Sequence, residues 1–294
     1  LTERGKTKVF SCETDEITSF FLAFSSGDRT RAFLKVQDGC DYCCAYCTIH
    51  NARGASRNTP IAEAVKQAEE IARGGQKEIV ITGINTGDFG RTTGESFLDL
   101  LKALNEVEGI ERYRISSIEP NLLTDEIIEF CASSPKFQHH FHIPLQSGSD
   151  RILGLMRRRY TSAKFADRIE KVRSLMPDAF IGIDVITGFP GETEEEFAES
   201  ADFARRAEFL HIHVFPYSKR EGTPAAAMKD QVPEAVKHER VAVLSRISEE
   251  SCGAILDRVL AHPAPLTVLP ETRGEGFVMA HTPDFLEVKI LTDC

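Results

Sequence analysis

The stretch Glu78-Ile79-Val80-Ile81-Thr82, followed by Gly83-Ile84-Asn85, decides the fold. Three consecutive β-branched apolar residues with no polar alternation predict a strand buried on both faces. A helix-length pattern over residues 97–107 comes next. A buried strand leading into a helix is the unit of a parallel sheet, and the same unit recurs on both sides. Strands are predicted at residues 32–36, 113–118, 140–145, 180–187 and 209–215. The intervening segments read as helices: an apolar stripe at Ile61, Ala64, Val65, Ala68, Ile71 and Ala72, then residues 123–132, 150–175, from Thr193 onward, and 232–259. Thr193 with Glu196 three residues later is a capping box. Six such units require an α/β architecture with helices outside a parallel sheet, either an open doubly wound sheet or a complete or partial barrel. In both, chemistry collects at the carboxyl ends of the strands.

The 294 residues suffice for one large α/β domain and a small appendage. No apolar run is long enough for a membrane helix, and the first ten residues lack the apolar centre of a signal peptide. The net charge of −10 argues against a protein that wraps nucleic acid through charge everywhere, while leaving room for a confined contact. Past Ala264, proline-rich text leads into short β-like pieces at residues 266–269, 276–280 and 286–290, a small β appendage. Residues 1–30 read as a linker, which divides the chain into 1–30, a main domain at 31–262 and the appendage at 263–294. A first residue of Leu suggests a trimmed or partial chain.

Four of the eight cysteines fall within Gly39-Cys40-Asp41-Tyr42-Cys43-Cys44-Ala45-Tyr46-Cys47. A tight cluster in a chain of this length reads as a metal site in a reducing, cytoplasmic setting rather than a disulfide framework. Cys40, Cys44 and Cys47 give the spacing C-x3-C-x2-C. Three thiolates hold three irons of a 4Fe–4S cluster and leave the fourth iron open. The alternative is a structural zinc knot, but that normally takes two separated C-x2-C pairs. Cys43 is a possible fourth ligand, although adjacent cysteines rarely reach one metal together.

This motif, just after the first strand and with an aromatic residue before its last cysteine, resembles the radical S-adenosylmethionine (radical SAM) superfamily. The resemblance implies a partial (β/α)6 barrel, with Cys40, Cys44 and Cys47 as cluster ligands and as the catalytic centre. It also implies S-adenosylmethionine on the open iron, cleaved by reduction to a carbon radical. Tyr46 would then lie beside the adenine, and Cys43 would be a bystander. Gly83 and Asn85 resemble the segment that holds the methionyl amino group. Gln146 and Ser147, in Pro144-Leu145-Gln146-Ser147-Gly148-Ser149, resemble a cofactor-contacting stretch, although Ser149 also reads as a plain helix N-cap. Among Arg157, Arg158 and Arg159, Arg159 is expected to meet the cofactor carboxylate through its fork. Asp184 on the fifth strand is expected to border the adenosine, with Gly188-Phe189-Pro190-Gly191-Glu192-Thr193 as a tight turn after it. Phe215 and Tyr217 are expected to line the adenine after the sixth.

Within the superfamily, residues 28–40, Ser116-Ser117-Ile118-Glu119-Pro120, the Pro-Leu-Gln-Ser-Gly stretch and Gly-Phe-Pro-Gly-Glu-Thr look like the methylthiotransferases, which places Glu119 among the cofactor contacts. Residues 116–123 and His140-Phe141-His142-Ile143-Pro144 look most like the branch acting on N6-threonylcarbamoyladenosine, at carbon 2, beside the tRNA anticodon. The similarity spans roughly residues 28–260, and the C-terminal piece resembles a TRAM domain. It implies an anticodon stem-loop as partner and an electron donor such as flavodoxin or ferredoxin. The alternatives are a methylthiotransferase acting on a ribosomal-protein aspartate and a non-catalytic Fe–S or RNA-binding module. Family members carry an N-terminal domain with three more cysteines and a second 4Fe–4S cluster thought to carry the sulfur. Only Cys12 precedes the motif here, and His50-Asn51 replaces the family's proline-containing text. The chain is therefore expected to lack that domain, with residues 1–30 as its exit linker, and to cleave S-adenosylmethionine without itself supplying the sulfur.

Overall fold

The computed structural model describes residues 16–17, 20, 23–25, 30–262 and 265–292; most of the predicted linker, Cys12 and Cys294 lie outside them. Six parallel strands form: β1 (Arg31–Lys35), β2 (Glu78–Thr82), β3 (Arg112–Ile115), β4 (His140–His142), β5 (Phe180–Thr187) and β6 (His211–Pro216). A principal helix follows each: α1 (Ile61–Arg73), α2 (Phe97–Asn105), α3 (Asp125–Ser133), α4 (Ser162–Leu175), α5 (Glu194–Ala207) and α6 (Glu234–Ala261). β1, β2 and β3 pair in one sheet and β4, β5 and β6 in another. The sheets meet through one parallel bridge, Tyr113 to Phe137, supported by the Gln138 amide on the Tyr113 carbonyl at 2.9 Å. The result is an unclosed arc, the partial barrel among the two arrangements the sequence allowed. Ala23 and Phe24 add a short antiparallel strand to the free edge of β1.

Strand alternation decides which side chains reach the helices. Leu34, Ile79, Ile81, Tyr113, Ile115, Ile181, Ile183 and Val185 belong to the main core, with Leu100, Leu101 and Leu104 of α2 and Phe165 of α4. Full burial of each such side chain contributes about 1.5–3 kcal/mol. The intervening positions face the concave lumen and carry Arg31, Glu78, Arg114, His142, Asp184 and His213. The helices start where the sequence offers caps. The Ser96, Thr124 and Thr161 side chains accept amides at the starts of α2, α3 and α4, and Thr193 and Glu196 form the full capping box of α5. The helical segments expected over residues 150–175 are two, Asp150–Leu155 and α4.

The appendage is an antiparallel sheet of β7 (Leu269–Gly274), β8 (Phe277–His281) and β9 (Glu287–Leu291). Its first strand starts three residues later than the sequence pattern suggested and tolerates Pro270 next to a register irregularity. The loop between β8 and β9 docks on the lower end of the barrel. Arg114 donates to the carbonyls of Pro283 and Thr282 at 2.8 and 3.0 Å while holding Glu78 at 2.8 Å. The guanidinium groups of Arg31 and Arg114 sit 4.9 and 4.8 Å from the centre of the Phe285 ring. His140 approaches the same ring at 5.2 Å.

Candidate active site

The cysteine loop leaves β1 through Gln37 and Asp38, which pair antiparallel with Asn58 and Arg57 and close the base of the loop. Gly39 has a φ of +70°, and a Cβ there would lie 2.0 Å from the Ala55 carbonyl oxygen, so only glycine fits. The far side of the loop is pinned by the Ala45 amide on Met156 and the Ala225 amide on the Ala45 carbonyl, at 3.0 and 2.9 Å. Below it lies a second, small core of Ala45, Ile152, Met156, Phe189, Tyr217 and Ala225.

Each of the three spaced cysteine sulfurs accepts an N–H donor. The Tyr42 amide reaches Cys40 Sγ at 3.4 Å and the Ile49 amide reaches Cys47 Sγ at 3.4 Å. The Arg158 guanidinium reaches Cys44 Sγ at 3.2 Å. Cys43 is exposed. Burial pushes the Cys40 thiol up to about 11, and the neighbouring Cys44, Cys47 and Glu119 push it further the same way, against the Tyr42 amide. Burial also raises Cys44, against the pull of Arg158. Three sulfurs that each meet a hydrogen-bond donor, two of them, Cys40 and Cys44, resisting ionisation, fit a cationic metal centre that holds them as thiolates.

Of the three arginines, Arg158 and not the expected Arg159 lies against a cysteine sulfur. Its guanidinium is buried and touches Cys44, the Tyr46 hydroxyl at 3.3 Å and the Tyr160 hydroxyl at 3.3 Å, and pairs with Glu119. Burial opposes its charge, but Glu119 together with Tyr160, Tyr46 and Cys44 outweighs this and holds Arg158 well above the usual arginine range. Arg159 instead turns outward, 3.9 Å above the Tyr42 ring, and donates to the Asp41 carbonyl at 2.9 Å. The reason is local. Arg157 takes a φ of +60° after the short helix, which rotates the next side chain inward and the one after it away.

The other candidates separate into two groups. Gly83, Asn85, Glu119, Tyr46 and Tyr217 come together with the cysteines around the carboxyl ends of β1, β2, β3 and β6. Both polar atoms of the Asn85 side chain are buried without a partner, as is the Thr187 hydroxyl at the end of β5. Such groups are normally satisfied, and unpartnered ones at strand carboxyl ends fit a bound polar ligand. Phe215 is 51% exposed at the end of β6. Gln146 has a φ of +63° and continues the sheet through its main chain against Asp184 and Ile186. Ser147 is turned away, into the helix layer, where its hydroxyl lies 3.3 Å from Ser200. A Cβ on Gly148 would lie 2.7 Å from the Ser200 Cα, so the strand end is drawn tightly onto α5. Asp184 sits in the lumen and meets His142 at 3.0 Å rather than the cysteine loop. Ser149 is an N-cap by position, without a side-chain capping bond.

Gln37 was missed as a site residue. Fully buried, it accepts the amides of Ile84 and Asn85 at 3.0 and 2.8 Å through Oε1, and donates to the Gly39 carbonyl at 2.8 Å through Nε2. It thereby ties the Gly83–Asn85 turn to the cysteine loop. A glutamine ending a buried strand was the only available signal.

Residues 34–204, more than half the chain, match the radical SAM superfamily. The chain belongs to that superfamily. Its cofactors are those of radical SAM proteins, a 4Fe–4S cluster and S-adenosylmethionine. Among curated relatives, the threonylcarbamoyladenosine tRNA methylthiotransferase MtaB of Bacillus subtilis is 46% identical over 89% of this chain and 59% of its own length. MtaB of Thermotoga maritima is 42% identical over 84% of this chain and 57% of its own. A tRNA-2-methylthio-N(6)-dimethylallyladenosine synthase of Bifidobacterium longum subsp. infantis is 40% identical over 86% of this chain and 54% of its own. The chain thus spans between half and two-thirds of the length of these relatives. Among solved radical SAM structures, the methyltransferase TsrM of Kitasatospora setae superposes with a TM-score of 0.54 at 15% identity, over 66% of this chain and 38% of TsrM. Methylornithine synthase superposes with a TM-score of 0.51 at 14% identity, over 74% of this chain and 62% of that one.

Proposed function

We propose that this chain is the radical-generating barrel of a tRNA methylthiotransferase that acts at carbon 2 of N6-threonylcarbamoyladenosine beside the anticodon. The observation that carries the catalytic part is the set of three N–H donors on Cys40, Cys44 and Cys47, with Cys43 left outside. The substrate part rests on the names and identities of the curated relatives. In this reading residues 31–262 are the catalytic domain and 263–294 a partial TRAM-like unit. The partner is an anticodon stem-loop, the reductant a flavodoxin- or ferredoxin-type donor, and the compartment the cytoplasm. No helix among the described residues is long and apolar enough to cross a membrane.

Cys40, Cys44 and Cys47 would hold the cluster. Bound there together, the cluster and S-adenosylmethionine supply a reductively generated carbon radical. Arg158 offsets negative charge at Cys44 and is itself fixed by Glu119, which makes it, rather than Arg159, the arginine at the cofactor. Asn85 offers its unpartnered amide to an amino or carboxylate group, and Gly83 lets the backbone pass Gln37 closely. Tyr46, Phe215 and Tyr217, with Gln146 behind them, would border the adenine. Phe189 and Tyr217, packed edge to face at 5.6 Å, exclude water beneath the loop. A base offered to this site must be unstacked, as in a single-stranded loop.

The test is anaerobic reconstitution with iron and sulfide, then reaction with S-adenosylmethionine and a strong reductant. Product 5′-deoxyadenosine is followed with and without threonylcarbamoylated anticodon stem-loop. The expected result is turnover whose rate responds to the RNA, with a log–log salt slope near −0.7 per phosphate contacted. A well-loaded protein indifferent to the RNA would remove the tRNA reading. One that holds no cluster would remove the catalytic one.

A further inference from the structure

The lumen carries a second group of metal-binding side chains, separate from the cysteines. His142 on β4, Asp184 on β5 and His213 on β6 each offer one ligand atom, and these atoms lie within 4.8 Å of one another. Register explains the grouping. Asp184 and His213 are direct partners across β5 and β6, and His142 is paired with Gly182, two residues before Asp184 on the same face. A Cβ on Gly182 would lie 3.4 Å from the His142 ring. The His142 ring leans across to Asp184, which it meets at 3.0 Å. The His213 ring lies 5.4 Å from that of His142, and His211 meets it edge to face at 4.2 Å.

A hydrogen-bonded His–Asp pair needs one histidine. A second imidazole brought to ligand range of the same carboxylate is what a mononuclear metal site needs. Two imidazoles and one carboxylate are borderline-hard donors. They suit a divalent first-row ion such as zinc and are unlike the thiolates that hold an iron–sulfur cluster. Ligand bonds of about 2.0–2.2 Å need donor atoms slightly over 3 Å apart. The His142–Asp184 separation already meets this, and a small rotation of His213 completes it.

We propose that His142, Asp184 and His213 form a site for one divalent transition-metal ion, with at least one coordination position open to the lumen. The proposal rests on the geometry of β4, β5 and β6 and is independent of the tRNA reading.

Two measurements test it. The first titrates cobalt(II) into the full chain carrying Cys40→Ser, Cys44→Ser and Cys47→Ser, which removes the thiolate site. One equivalent should bind with visible d–d bands and without the near-ultraviolet charge-transfer band of cobalt–thiolate. The second keeps the cysteines occupied. The cluster-loaded protein competes with a chromophoric chelator for zinc, with His213→Gln and Asp184→Asn compared against it. Each substitution should weaken zinc binding at least ~10-fold, the lower end of what loss of a supporting group costs a metal site. Absence of a saturable equivalent in both measurements, a thiolate spectrum, or zinc affinity unchanged in both variants overturns the proposal.

Discussion

Arg158→Met removes the guanidinium that joins the cysteine loop to β3 while keeping most of its apolar stem. The variant loses a charge-assisted contact to Cys44 and leaves Glu119 without its partner. The Arg158 side chain is only 4% exposed and that of Glu119 16%. Breaking one side of such a buried pair costs about 3–5 kcal/mol. Arg159→Met, one residue along the same backbone, loses an exposed cation–π contact of about 0.5–1 kcal/mol. At about 1.4 kcal/mol per factor of ten in an equilibrium constant, the two variants should differ at least ~20-fold in folding equilibrium. Anaerobic urea unfolding of the metal-free chain measures this, with the slope checked for constancy. The double variant Arg158→Met, Glu119→Gln should recover much of the loss, because the stranded carboxylate is gone. Equal destabilisation by Arg158→Met and Arg159→Met, or strict additivity of Arg158→Met and Glu119→Gln, would refute the assignment of the inner arginine.

Cys44→Ala should abolish the broad iron–sulfur absorbance after reconstitution, and Cys43→Ala should leave it; equal loss in both would remove the ligand assignment. Gly39→Ala should cost well over the ~1–2 kcal/mol of a left-handed residue alone, because its Cβ also meets the Ala55 carbonyl, and the drop is read from thermal unfolding. Phe285→Ala should loosen the barrel floor by about 2 kcal/mol through lost burial and two lost cation–π contacts, and should expose the 282–286 loop to proteolysis before the barrel unfolds. Glu196 is held below its ordinary value of 4.5, chiefly by its hydrogen bond to Arg151 and against burial. Its contribution is therefore present above pH 4.5 and lost as the pH falls through the lower folded value. The urea midpoint of the native chain should fall across that window more steeply than that of Glu196→Gln.

The barrel was legible because its signals are local. Buried β-branched runs such as 78–82 and capping residues such as Thr193 act within a few residues, and they appear where the pattern put them. Chain separation is what hid the rest. The sequence shows three adjacent arginines as equivalent, and only the left-handed turn at Arg157 decides that Arg158 points inward. Ser147 follows a plausible ligand text, but its side chain answers to Ser200, 53 residues away. Asp184 was chosen for its place on β5, and its surroundings come from β4 and β6. Gln37 carried no motif, since its role depends on a turn 47 residues later. The appendage was expected as a separate piece, yet Arg114 and Phe285 lock its loop under the barrel, a contact across 169 residues.

That lock bears on how the site can work. Phe285 and its flanking carbonyls take up Arg31 and Arg114 at the amino ends of the strands, while the cysteines, Arg158 and Asn85 lie at the carboxyl ends. The lumen between is therefore entered from the cysteine side. His142, Asp184 and His213 stand together on β4, β5 and β6, as a group separate from the cysteine loop. The chain's net charge of −10 makes general attraction of RNA weak, so on the proposed tRNA reading recognition would come from shape and from the few inward polar groups. On this arrangement, alteration of the lumen histidines should change which substrate is accepted without changing cluster loading. Alteration of Arg158 should change cluster loading whatever the substrate. Swapping those two effects in a paired comparison of His142→Gln and Arg158→Met would mean that the two groups do not have these separate roles.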